Sequence, residues 1–156
     1  MNAIKKVTGI QDMKGVLSTL WIYLAVNYIY CDHLGLMEPE VFQGLATGHI
    51  GSVQVNQEFL LAAAVMMQIP FMMIVLSRVL KYGANRWTNI VAGAIMIAIQ
   101  VGTMGMGTAP SLVYLFYSAI EIICNFVIIW MAWMWRNPES QPISHPARTN
   151  QIWRIP

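Results

Sequence analysis

Apolar residues in this chain gather into four long runs, at about residues 16–37, 59–77, 87–107 and 111–135, joined by short connections except for a longer polar one at 38–58. A helix rising 1.5 Å per residue needs about 20 such residues to cross the hydrocarbon core of a bilayer, and each run has about that length. The pattern predicts an all-α, polytopic membrane protein, a four-transmembrane-helix bundle over residues 16–135. A basic lead-in at 1–15 precedes it, and a flexible tail at 136–156, broken by Pro138, Pro142, Pro146 and Pro156, follows it. In the long connection Pro39 is placed to open a short helix through EVFQGL, and IGSVQV alternates weakly in the manner of a strand. Together they are expected to cover one mouth of the bundle. Asn56 is positioned to cap the second run, and Pro70 to kink it by removing a backbone donor and crowding the Met66 carbonyl. The segment VGTMGMGTAP reads as a tight hairpin between the third and fourth runs. Its glycines have the wrong spacing for a nucleotide loop, and no strand precedes them.

Composition strengthens the membrane reading, since 57% of residues are hydrophobic and 10% charged, where a soluble domain has about 25% charged. Charge sets the orientation. Lys5, Lys6 and Lys14 precede the first run, Arg78, Lys81 and Arg86 join the second to the third, and Arg136, Arg148 and Arg154 follow the fourth. The other two connections carry no Lys or Arg and hold Asp32, Glu38, Glu40 and Glu58. Basic loops are retained on the cytoplasmic side, so both termini are expected there, in a bacterial inner membrane. Trp87, Trp130, Trp133 and Trp135 fall where an inner aromatic belt would lie. Basic residues strung along a membrane edge do not make a nucleic-acid surface, despite the net charge of +2. The first run is too long for a signal peptide, and bulky Tyr30 before Cys31 disfavours a lipoprotein site, so the run is expected to remain in place. Cys31 near the outer face and Cys124 near the bilayer centre are poorly placed to form a disulfide.

Glu121 is the sharpest single signal. It lies ten residues into the fourth run, ~15 Å from its outer end and therefore near mid-membrane. A charge there costs roughly 2.5 to 3.5 kcal/mol, which turns the side chain toward other helices. With no Lys or Arg at comparable depth, a neutral, proton-donating carboxyl or one held by polar neighbours is expected. Tyr114, Tyr117, Ser118, Glu121 and Asn125 follow at three- and four-residue steps and form a stripe. Asn27 on the first run, Gln68 on the second and Gln100 on the third lie at similar depth, and Tyr23 extends the Asn27 face. The expected ligand-binding set is therefore Glu121, Asn125, Asn27, Gln68, Gln100, Tyr117 and Tyr23, around a small central cavity open to the outer side. Taken singly, Asn27, Gln68, Gln100 and Asn125 also fit a purely architectural role as hydrogen-bonding groups between helices.

At the outer end Cys31, Asp32 and His33 follow one another, and with Glu58 they are expected to border the mouth. Successive helical residues point about 100° apart, so the three cannot converge as a triad. A copper-type set drawn from Cys31, His33, His49, Glu58, Met104 and Met106 matches no metal-binding spacing, and no metal is expected. The twelve methionines serve as adaptable apolar filler.

The stretches LSTLWIYLAVNYIYCDHLGLM and IPFMMIVLSRVLKYGANRWTNIVAGAI resemble a family of small bacterial four-helix integral membrane proteins of unknown function, over Leu17 to Trp135 and without the tails. The resemblance implies a membrane bundle; a more distant likeness to the DoxX-like group, some of whose members are linked to quinone or redox chemistry, adds no catalytic residue or cofactor. Three function classes remain open. The leading one is a binding or transport-type protein that holds a small lipophilic or weakly basic ligand in a polar pocket. The second is an accessory subunit or assembly factor of a larger membrane complex, or a homo-oligomer. The third is an intramembrane enzyme acting on a quinone or lipid, for which the sequence supplies no nucleophile and base at convincing spacing.

Overall fold

A computed structural model describes residues 2–104 and 109–136, with side chains from residue 12 onward. The elements are α1 (Asn2–Gly35), α2 (Pro39–Thr47), β1 (His49–Ile50), β2 (Val53–Gln54), α3 (Gln57–Val79), α4 (Tyr82–Thr103) and α5 (Leu112–Met134). Among the described residues the fold is thus all-helical apart from one small hairpin. The tail expected at 136–156, beyond Arg136, and residues 105–108 of the α4–α5 turn lie outside the described residues.

Local chemistry explains most element ends. Pro39 occupies the first turn of α2, where its missing N–H costs nothing, and Gly48 closes that helix in the left-handed region at φ 78°. The Asn56 side chain accepts from the Phe59 N–H at 2.8 Å and caps α3, and Ser111 accepts from the Tyr114 N–H at 3.1 Å and caps α5. α3 continues as one helix through Pro70, whose ring is buried. The basic lead-in does not form a separate element, because α1 runs without a break from Asn2 through the first apolar run.

The four long helices close a ring in which α1 packs against α3 and α5, and α4 packs against the same two. Three contacts fix their up-and-down order. Ser18 donates to the Ile74 carbonyl at 2.9 Å, the Tyr82 hydroxyl to the Trp135 carbonyl at 2.6 Å, and the Gln100 amide to the Ser118 hydroxyl at 2.6 Å. Lys14, Arg78, Lys81, Arg86 and Arg136 therefore gather at one end of the bundle, and Asp32, Glu38, Glu40 and Glu58 at the other. Leu17, Trp21, Leu24 and Ile128 are fully buried between the helices.

Four membrane-crossing helices are expected from the sequence; among the described residues two, α3 and α5, are long and apolar enough to cross by length and composition. α1 and α4 are richer in polar residues, among them Asn27 on α1 and Asn85, Asn89 and Gln100 on α4, whose side chains are buried in the bundle.

The basic end is closed by a dry polar network. The Trp21 indole N–H donates to the Asn89 side-chain oxygen at 2.7 Å, and the Ser77 hydroxyl donates to the same oxygen at 3.3 Å. Asn89 in turn donates to the backbone and side-chain oxygens of Asn85 at 2.8 and 2.7 Å, and Asn85 donates to the Ser77 carbonyl. Each of these four side chains is fully buried, so three helices are joined where no water competes for the bonds.

Candidate functional site

At the acidic half of the bundle the helices separate around a cavity of about 370 Å³. Tyr28, Cys31 and Asp32 reach it from α1, Gln100 from α4 and Glu121 from α5. This follows from local spacing. Trp21, Leu24, Tyr28 and Cys31 recur at steps of three and four, which holds one face of α1 inward, and Asp32 follows Tyr28 by one further turn. Met66, Met67 and Met96 supply an adaptable apolar wall. Val41 of α2 and Ile50 and Val53 of the hairpin line the outer part, so the connection at 38–58 borders the mouth.

Glu121 sits at the floor, 1% exposed, and its Oε1 has no hydrogen-bond partner among the described residues. The Asn125 amide donates to the Tyr28 hydroxyl at 3.0 Å and to the Glu121 carbonyl at 2.9 Å, and the Gln100 amide is taken by Ser118. Tyr114 and Thr103 hydroxyls meet at 3.3 Å nearer the mouth. Among the described residues the wall carries three carboxyl side chains, of Asp32, Glu38 and Glu121, and no Lys, Arg or His. A buried polar atom without a partner is costly, and the Glu121 side chain borders a volume of small-molecule size. The arrangement can accept a hydrogen bond or balance a positive charge at its floor while methionines contact an apolar body.

The residues picked out by sequence separate into three groups. Glu121, Gln100, Cys31 and Asp32 line the cavity. Asn125 and Asn27 are buried outside its wall, Asn125 behind Glu121 and Asn27 donating to the Tyr23 carbonyl of its own helix at 2.8 Å. Tyr23, Gln68, Tyr117, His33 and Glu58 are not on the wall. Tyr23 is 49% exposed and Gln68 is exposed on α3. Each stands two residues, about 200° of turn, from an inward residue, Trp21 or Met66, and so faces away from the bundle. Tyr117 is half-buried edge-on against Phe116 at 5.6 Å, and His33 and Glu58 are exposed at the rim.

Sequence reasoning passed over Tyr28 as a wall residue, although its spacing from Asp32 carried the signal. It also passed over the Trp21–Asn89–Asn85–Ser77 network, for which the i, i+4 pair Asn85 and Asn89 within an apolar run was the available sign.

The model of a family described as a family of unknown function, DUF6326, matches residues 5–141, and the chain belongs to that family. No curated protein matches the chain. No solved structure matches it either.

Proposed function

We propose that this member of the DUF6326 family is a four-span integral membrane protein that binds a small lipophilic ligand, bearing a hydrogen-bond donor or a weakly basic nitrogen, in the cavity above Glu121. The observation that carries the reading is the unpartnered, buried carboxyl oxygen at the floor of a methionine-walled cavity. An intramembrane acid that faces a cavity is by default a functional group.

The distribution of polarity supports the membrane placement. α1 and α4 turn their amides inward, while Val16, Ile22 and Val26 on α1 and Val91, Ile95 and Val101 on α4 are exposed. Such an arrangement suits hydrocarbon rather than water outside the bundle. The segregation of charge supports an orientation with the basic end in the cytoplasm and the cavity opening to the other side. Gln100, Tyr28 and Asp32 are placed to orient the ligand, and Glu121 to anchor it.

Purification in mild detergent followed by mass spectrometry of bound small molecules tests this. Wild-type protein is expected to retain a lipophilic compound that the Glu121→Gln variant loses while staying folded. An empty wild-type bundle, or equal retention by the variant, would remove the role given to the carboxyl.

A further inference from the structure

Between Glu58 and Ser77 the sequence FLLAAAVMMQIPFMMIVL contains one side-chain amide, that of Gln68, and no hydroxyl or charge. α3 turns that amide away from the bundle, exposed and without a hydrogen bond among the described residues. Placed in hydrocarbon, its oxygen and two N–H groups would find no partner in lipid. Leu61, Ala64, Phe71 and Val75 share its outward face, and with Gln68 they recur at steps of three, four, three and four. That is the spacing of a seam between two helices that coil around each other. α3 is also the less covered of the two most apolar helices, with 11% of its apolar stretch buried against 28% for α5.

We infer that a second copy of this chain covers this face. α3 packs against α3 of the second copy about a two-fold axis along the membrane normal, and the two Gln68 amides hydrogen-bond to each other. A carboxamide is both donor and acceptor, so it complements its own copy, and a two-fold axis sets equal residues opposite one another. Ala64, one turn away, is small enough to let the backbones approach. Both copies share one orientation across the bilayer, which fixes the direction of the axis. The inference rests on the membrane placement proposed above and is independent of the ligand.

The test uses the full-length chain, labelled at its amino terminus with donor or acceptor dye and reconstituted in phosphatidylcholine–phosphatidylglycerol vesicles over a range of protein-to-lipid ratios. Energy transfer is expected to follow a monomer–dimer isotherm. Gln68→Leu, which keeps an apolar outer face, is expected to raise the dimer dissociation constant roughly tenfold, and Ile123→Leu, exposed on α5 and off this seam, to leave it unchanged. A wild-type chain that stays monomeric, an equally dimeric Gln68→Leu variant, or a different protein held in place of the second copy would overturn the inference. Carbonate extraction of the same membranes separates two failures. Protein released by carbonate defeats the membrane placement and the dimer together, whereas embedded but monomeric protein defeats the dimer alone.

Discussion

The Trp21 indole donates to the Asn89 amide oxygen at 2.7 Å, joining α1 to α4 across the bundle instead of along its ring of neighbours. Asn89 holds that bond, the Ser77 hydroxyl and Asn85 at once. Asn89→Ala would leave an indole N–H, a hydroxyl and an amide oxygen buried and short of partners. A loss of about 2–4 kcal/mol is expected, measured by denaturant unfolding in detergent.

Glu121 should behave in the opposite way. Its Oε1 makes no hydrogen bond among the described residues, so Glu121→Leu removes a desolvated oxygen at little structural cost. Stability is expected to be unchanged or to rise by about 1 kcal/mol, while ligand retention is lost. Asn125→Leu, which breaks the bond to Tyr28, is expected to lose about 1–2 kcal/mol. Thermal unfolding of the two variants side by side would expose a Glu121 that is structural after all, through a large loss in the first.

Two glycines of α4 give a paired test of packing. A Cβ on Gly93 would lie 2.8 Å from Cγ1 of Ile129 and 3.5 Å from the Asn125 carbonyl, so α4 and α5 approach closely there. Gly93→Ala is expected to cost about 1–3 kcal/mol by overpacking. Gly102 has nothing within 4 Å of such a Cβ, and Gly102→Ala is expected to gain about 0.5–1 kcal/mol through helix propensity. Equal effects at both sites would contradict the close α4–α5 contact.

Orientation is open to direct labelling. In a chain with Cys31 and Cys124 replaced by Ala, Ser52→Cys places a thiol on the exposed hairpin turn, and Lys81→Cys places one between α3 and α4. On intact cells a membrane-impermeant maleimide is expected to label the first and to reach the second after permeabilisation. The reverse pattern would invert the bundle, and equal labelling would end the four-span reading.

How far the sequence could be read depended on which coordinate was asked for. Position along an axis was legible: run lengths mark the four long helices, Pro39 and Asn56 mark two helix starts, and counting residues places Glu121 deep in α5. Rotation about an axis was harder. On the proposed membrane placement, a helix bounded by apolar neighbours on one side and apolar surroundings on the other has no strong polar face to orient it. Gln68 and Gln100 are both amides set among apolar residues, yet one faces out and the other is buried against Ser118. Their difference lies in what α1 and α5 present to them, which no single run encodes. Glu121 was easier because, on that placement, a carboxyl is too costly to leave facing hydrocarbon.

The seal formed by Trp21, Asn85, Asn89 and Ser77 gives the molecule the shape of a blind well, with its shaft above Glu121 and its stopper below. On the proposed function, passage onward would require the five hydrogen bonds of that network to come apart, so a bound ligand is expected to leave through the mouth at the acidic end.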